Sequence, residues 1–359
     1  MKYGIGGATA FALLTSQALA GGIERSPQSV GLLFEPGNAV QFSFGHVAPD
    51  LTGSLGGLGS GDMAPSYTSL SMGVKTRVND RVDLALIFDQ SLGADVDYTD
   101  AQVGYPLRGT TAELDGSDIT ALVRYRVAER VSVYGGVRMQ GISAELSGLP
   151  ITGPSLYGLD VERTQEWGYV LGAAYEIPDI ALRIAATYNS AIDHGFTGSQ
   201  TVNGAPVPDT NFTTTIPQSL NLEFQSGIAE DTLLFGSVRW QDWSEFDITP
   251  VVGGNPLTLI DYQSDYVTYT LGLGRRFNDS WSGAVTLAHE PATGDIQGNL
   301  APRDGYTSVG IGATWTHENT EISGGVRYIR LGDATTQTIG ASFTDNDAMA
   351  FGLRVTQRF

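Results

Sequence analysis

The sequence predicts an all-β fold: a transmembrane antiparallel β-barrel of about fourteen strands with a short amino-terminal segment in its lumen. Strand-like runs recur in pairs along the chain, with short turns within each pair and long loops between pairs. The last run alternates apolar and polar residues up to its end. The first twenty residues have the pattern of an export signal.

The last run, residues 348–359, places Met349, Phe351, Leu353 and Val355 on one face. A period of two is typical of a strand with one apolar and one polar face. A strand of this kind that ends on an aromatic looks like the closing strand of a bacterial outer-membrane barrel. We therefore expect Phe359 to be an assembly signal that the barrel assembly machinery recognises.

Residues 1–20 are expected to be a secretory signal peptide. Lys2 makes a short positive region, residues 5–14 are apolar, and Ala18-Leu19-Ala20 resembles a cleavage site. The alternative is a buried amino-terminal helix. No later segment reaches ~18 uncharged apolar residues, so we expect no spanning helix.

Composition agrees with a barrel in the outer membrane of a Gram-negative bacterium. The chain has 359 residues, 46 glycines, 16% charged residues and a mean hydropathy of −0.05. A mean hydropathy near zero is expected of a barrel, because its apolar outer face and its polar inner face contribute with opposite sign. The net charge of −19 argues against nucleic acid as a partner and suits acidic outer loops among lipopolysaccharide. The absence of cysteine excludes disulfide and cysteine–metal frameworks.

Fourteen runs are predicted as strands of a barrel that spans residues 39–359. The six short turns carry Asn, Asp, Glu or Pro, as turn chemistry requires. An even count with short turns on one side and long loops on the other is the outer-membrane pattern, whereas a soluble propeller or sandwich is the alternative. The predicted runs are 39–50, 67–78, 82–98, 117–127, 131–146, 165–176, 180–194, 218–229, 232–246, 265–277, 280–290, 306–317, 320–331 and 348–359.

Three segments resemble the FadL/TodX family of outer-membrane transporters of hydrophobic compounds. Residues 217–246 resemble its proline-led strand followed by a hairpin strand ending in W-S-x-F, here Trp243-Ser244-Glu245-Phe246. Residues 271–281 resemble its G-x-x-Y-x-F-x-D-x-W hairpin, and Pro302-Arg303-Asp304 resembles a loop before its twelfth strand. The resemblance is closest over residues 215–359. It implies passive transport of long-chain fatty acids or aromatic or aliphatic hydrocarbons, with release sideways into the bilayer.

The family carries an amino-terminal hatch of about forty residues with an Asn-Pro-Ala motif, whereas only residues 21–38 precede the first strand here, without that motif. A segment of ~18 residues spans at most about 60 Å, which is enough to thread the lumen but not to fill it. Ile23, Leu32, Leu33 and Phe34 make it a candidate minimal hatch. A disordered periplasmic tail is the alternative.

The resemblance also implies a lateral opening at a kink in the third strand. Alternation falters there around Ser91 and Gly93, and glycine within a strand often marks a bulge. A strand that simply ends early explains the pattern equally well.

Candidate ligand contacts are inward-facing residues near mid-height. Arginine is the best-shaped partner for a carboxylate, so Arg138, Arg327 and Arg354 are predicted contacts. Arg239 is discounted because Glu223 is expected nearly opposite it, as a cross-strand ion pair. Leu233 and Phe235 are predicted to supply apolar lining.

We therefore expect a transporter that acts alone as a monomer and uses no cofactor or metal. A general diffusion porin is the second interpretation. A lipid-modifying outer-membrane enzyme is the third, because His194 and His289 lie near outer strand ends. The sequence shows no nucleophile elbow, zinc spacing or phosphate loop to support catalysis.

Deleting Phe359 is expected to lower the amount of folded barrel in the outer membrane, because the closing strand loses its aromatic terminus. Heat-modifiable mobility on gels of outer-membrane fractions measures this yield. Replacing Phe359 with Trp, which keeps an aromatic ring, serves as the control. Equal yields for the deletion and the wild type would contradict the assignment.

Overall fold

A computed structural model describes residues 22–359, so the predicted signal peptide lies outside the described residues. Fourteen antiparallel strands close into a barrel, and each pairs with its neighbours in the chain. The first strand pairs with the last from Ala39↔Arg358 to Asp50↔Asp347, which closes the wall. The strands are β1 (Ala39–Asp50), β2 (Tyr67–Arg77), β3 (Val82–Asp97), β4 (Thr111–Arg126), β5 (Val131–Pro150), β6 (Leu156–Ile177), β7 (Leu182–Asn189), β8 (Ser219–Ala229), β9 (Thr232–Gln241), β10 (Tyr266–Arg276), β11 (Trp281–Glu290), β12 (Tyr306–His317), β13 (Thr320–Leu331) and β14 (Asp347–Arg358).

The wall is taller at β4, β5 and β6 than the sequence predicts. The sequence predicts loops at 147–164 and 195–217. In the structure β5 extends to Pro150, and β6 already begins at Leu156. An outer hairpin of Ile192–Val202 and Ala205–Ile216 follows β7 and pairs with the upper part of β6. These segments are rich in polar residues and glycine, because their outer faces lie in water, and this composition resembles that of loops.

Short elements complete the structure. The 3₁₀ turns are Gly31–Phe34, Pro178–Ile180 and Trp243–Glu245. Thr52–Leu55, Leu58–Asp62, Ala334–Thr335 and Ser342–Phe343 form a small sheet at the long-loop end, and Asp247–Ile248 with Ile260–Asp261 and Val251–Val252 with Asn255–Pro256 form two small hairpins. Across residues 22–359, no helix has the length and apolar character that a membrane crossing needs.

The alternation of side chains separates an apolar outer surface from a polar interior. On β5, Val131, Val133 and Val137 are exposed on the outside, whereas Ser132 and Arg138 are buried inside. Aromatic residues are exposed near the short turns, among them Tyr125, Tyr175, Phe277 and Trp281. Aromatic rings at this height are typical of a membrane interface.

Residues 22–38 lie inside the barrel, and their end is fixed to the inner wall near the short turns. The Nζ atom of Lys75 on β2 donates to the carbonyl oxygens of Glu35 (2.8 Å) and Gly37 (2.7 Å). The same Nζ lies 3.0 Å from Asp83 on β3, and both side chains are fully buried. Arg358 on β14 pairs with the Glu35 carboxylate at 2.8 Å.

Replacing Lys75 with Met is expected to cost about 1–3 kcal/mol of stability, because it removes two donors to the segment and leaves the buried Asp83 carboxylate with Arg126 (2.6 Å) as its remaining close partner. Arg77→Met is the matched control: its guanidinium is 43% exposed and 3.8 Å from the same carboxylate, so we expect about 0–1 kcal/mol. Urea unfolding in lipid vesicles measures both. Equal losses for the two variants would contradict this account.

Candidate functional site

An apolar cavity of about 680 Å³, including space open at its mouth, lies toward the long-loop end. The inner faces of β3 to β6 form one side of it, and the outer hairpin contributes Phe196 and Phe212. Loop residues Ile248 and Leu300 complete it. Because the strands alternate, every second residue of this tall wall is aliphatic and faces the cavity.

The barrel wall is interrupted between β2 and β3. Their pairing ends at Ser71↔Asp89, although β3 continues to Asp97. The pairing of β3 with β4 shifts register between Asp89 and Leu92, as a β-bulge does. The backbone N–H of Leu70 donates to the side chain of Gln90 (2.7 Å), which replaces the missing ladder bond.

The amino-terminal segment fills this interruption by pairing with β3. The N–H groups of Arg25 (2.8 Å) and Ser26 (3.2 Å) donate to the carbonyl of Ser91, and the N–H of Gly93 donates to the carbonyl of Ile23 (2.9 Å). Glu24 lies opposite Leu92 as an antiparallel bridge. Residues 23–26 therefore act as a short substitute strand in the wall.

Arg25 extends across the interruption and contacts both sides of it. Its Nη2 is 2.6 Å from the Asp95 carboxylate on β3, and its guanidinium lies 4.2 Å from the ring centre of Tyr67 on β2. Gly93 makes room for it, since a Cβ there would clash with the Arg25 guanidinium. The guanidinium thus occupies the interruption of the wall and contacts the strand on each side of it.

A second cavity, of about 640 Å³, surrounds Arg25 and includes Tyr67, Gly93 and Asp95 in its lining. It shares Ala94 and Leu300 with the apolar cavity. The two spaces therefore adjoin, and they lead from the long-loop end to the interrupted wall.

A layer of paired polar side chains lies across the lumen. Glu24 forms an ion pair with Arg239, whose Nη1 also donates to Asn221 (2.6 Å). Arg138 donates to Asn189 (3.0 Å) and Thr120 (3.1 Å) and contacts Gln28.

Acidic side chains complete this layer. The Asp118 carboxylate accepts from Gln140 (2.9 Å) and Gln28 (3.3 Å), and Asp89 accepts from Ser26. The layer consists of Glu24, Ser26, Gln28, Asp89, Asp118, Thr120, Arg138, Gln140, Asn189, Asn221 and Arg239.

The structure places the predicted residues in separate groups. Ser91 and Gly93 lie at the wall interruption, beside Ile23. Leu32 and Leu33 are buried inside the barrel, and Phe34 packs against Tyr134. Leu233 and Phe235 form a small cluster of their own, apart from the apolar cavity.

The predicted arginines also separate. Arg138 belongs to the polar layer, whereas Arg327 on β13 and Arg354 on β14 face inward from the neighbouring strands that pair with β1 and β12. The expected Glu223–Arg239 pair was wrong: Ser237 lies opposite Glu223, and Asn221 lies opposite Arg239. The partner of Glu223 is two residues from Arg239 along β9, and a register shift between Gly227 and Ala229 displaces the pairing next to the turn.

Sequence reasoning missed the residues that close the interruption, Glu24, Arg25, Tyr67 and Asp95. One signal was available: residues 22–38 include two acids and one arginine among apolar residues, which is unusual for a segment that only fills a lumen. The partners of these charges depend on chain contacts between residues far apart in sequence.

Several solved structures share this fold. The chain resembles a Pseudomonas aeruginosa FadL homologue (TM-score 0.78, 16% identity, 92% of each chain). It also resembles the Pseudomonas putida toluene transporter TodX (0.69, 12%, 92% of this chain and 91% of TodX). The Ralstonia pickettii toluene transporter TbuX is similar as well (0.66, 15%, 97% and 98%). At these identities the likeness shows the fold.

No curated protein sequence matches the chain. A family model does match: residues 39–359 fit the outer membrane protein transport protein family, OMPP1/FadL/TodX. The match spans all fourteen strands. The members of this family are transport proteins of the outer membrane. The chain therefore belongs to the OMPP1/FadL/TodX family of outer-membrane transport proteins.

Proposed function

We propose that this protein transports hydrophobic compounds passively across the outer membrane and releases them sideways into the bilayer between β2 and β3. The observation that carries the proposal is the adjoining pair of cavities that ends at the interrupted wall. Long-chain fatty acids and aromatic or aliphatic hydrocarbons are the substrate classes considered. The protein acts as a monomer among outer-membrane lipid and lipopolysaccharide.

Capture follows from the apolar cavity. Its side chains are almost all aliphatic or aromatic. Moving an apolar ligand out of water gains about 25 cal/mol for each Å² of surface buried. A ligand of ten or more carbons therefore binds without any specific polar contact.

Straight passage to the periplasm is opposed by the polar layer. An apolar ligand gains nothing there and breaks hydrogen bonds among buried groups, each of which costs about 1–3 kcal/mol if left unpaired. The bilayer core, in contrast, keeps the ligand's apolar surface out of water. The sideways path is therefore downhill, and it requires no energy source beyond the concentration gradient.

Residues 23–26 must leave β3 for the side exit to open. This movement breaks three backbone hydrogen bonds, the Arg25–Asp95 and Glu24–Arg239 ion pairs and the hydrogen bond from Ser26 to Asp89. The segment is attached elsewhere by Lys75 and Arg358, so its first part can move while its end stays fixed. We still predict that the inward-facing residues Arg138, Arg327 and Arg354 contact the ligand.

A disulfide that locks residues 23–26 to β3 should stop transport. Glu24 and Leu92 form a non-hydrogen-bonded pair of antiparallel strands. The backbone hydrogen bonds on either side of it join Arg25 to Ser91 and Gly93 to Ile23. Cα atoms in such pairs are about 4.5 Å apart, within disulfide range. The chain has no cysteine, so E24C/L92C forms one defined bond.

The measurement is uptake of a labelled aromatic hydrocarbon by intact cells that carry E24C/L92C. We expect at least tenfold slower uptake under oxidising conditions and recovery after reduction, with E24A/L92A unaffected by either treatment. Equal uptake in both redox states would exclude this exit. Free passage of small sugars in the wild type would instead identify a porin.

A further inference from the structure

A row of four carboxylates runs across the outer face of the wall that forms the apolar cavity. Asp95 on β3 lies opposite Glu113 on β4, Glu113 lies opposite Glu145 on β5, and Glu145 lies opposite Asp160 on β6. We call these four residues the acidic row. Like charges directly opposite one another in a sheet are unfavourable, so the fold gives no reason for this arrangement.

Most of the acidic row is not neutralised by the protein. Asp95 pairs with Arg25 at 2.6 Å. Glu113, Glu145 and Asp160 are exposed and form no ion pair with any residue of the range 22–359. Asp115, also exposed, adds a fifth acid two residues from Glu113. Arg163 on β6 contacts Ser117 and donates to the carbonyl of Gly141 (2.9 Å) instead of pairing with these acids, so the outer face of this wall carries a net negative charge.

Along each strand, a residue next to a member of the acidic row lines the cavity with its side chain. Leu114 follows Glu113, Leu146 follows Glu145, and Leu159 precedes Asp160, and all three leucines line the cavity. Charge behind a thin, apolar wall of low dielectric acts on the space in front of it.

The cavity itself contains no group that could offset this potential. Of its lining residues only Glu113 and Glu145 are charged, both are members of the acidic row, and the others are apolar. A carboxylate placed inside would lack a cationic or hydroxyl donor, which makes its burial very costly. A neutral ligand is not repelled by the negative charge and needs no hydrogen-bond donor.

We propose that the apolar cavity selects uncharged hydrocarbons over carboxylates, and that the acidic row sets this selectivity. This inference rests on the proposed function and narrows its substrate class. The arginines of the polar layer do not reverse the preference, because Arg138 and Arg239 already donate to Asn189, Asn221 and Glu24.

The test uses hexylbenzene and 6-phenylhexanoate, which differ only by a terminal methyl or carboxylate. Each displaces N-phenyl-1-naphthylamine, a neutral fluorescent probe, from the purified full-length protein in detergent. We expect the wild type to bind hexylbenzene at least tenfold more tightly at low salt. Raising the salt to about 0.5 M should narrow the ratio, since exposed charges are screened over a few ångströms.

The row variant E113Q/E145Q/D160N should tighten binding of the acid about fivefold and leave hexylbenzene unchanged. The matched control E129Q/D179N/E318Q removes three exposed acids at the short turns and should change neither affinity. The replaced side chains are exposed, and each replacement keeps the size of the original side chain. The salt dependence of the wild type tests the effect of the negative charge without any variant.

The proposal is wrong if the row variant and high salt both leave the affinity ratio unchanged. It is also wrong if the wild type prefers 6-phenylhexanoate and Arg327→Ala abolishes that preference, because an inner arginine then governs recognition. If the probe and both ligands fail to bind, the proposed function itself fails, and this inference fails with it.

Discussion

The rest of the structure depends on one constraint: peptide groups in hydrocarbon must be hydrogen-bonded within the protein. Pairing of β1 with β14 meets this requirement around the barrel. The interruption between β2 and β3 meets it differently, through the side chain of Gln90 and the backbone of residues 23–26. The interrupted part of the wall is therefore not a bare gap, because its peptide groups have substitute partners in Gln90 and in the amino-terminal segment.

The same segment divides the lumen into two chemical zones. Glu24 and the polar residues Ser26 and Gln28 join inward side chains in the polar layer, while Ile23 lines the second cavity above it. An apolar compound that fits the upper zone is excluded from the lower one, because it makes no favourable contact there. Small polar solutes are excluded as well, because paired polar groups fill the lower zone. Although this segment is much shorter than the hatch expected from the family resemblance, its polar contacts close the middle of the barrel where its volume alone would not.

Much of the fold could be predicted from the sequence because alternation and turn chemistry are local. The strand count, the inward direction of Arg138 and the outward direction of Val137 all follow from a period of two. The outer hairpin could not be predicted this way, because beyond the membrane both faces can be polar and the alternation weakens. The candidate site was only partly predictable: Gly93 marks an irregular strand, but its partner Arg25 is 68 residues away and is found only from the folded chain.

The height of the tall wall has a consequence for where the protein meets its ligand. β6 has 22 residues, and at ~3.3 Å per residue it is about 70 Å long, against an apolar band of ~25 Å. Even at a tilt of ~45° it rises well beyond the lipid tails. The apolar cavity thus stands beyond the lipid tails, in the layer outside the membrane on the side of the long loops. On the proposed function, a ligand would cross this outer layer inside the protein and would reach the bilayer without passing through the membrane surface.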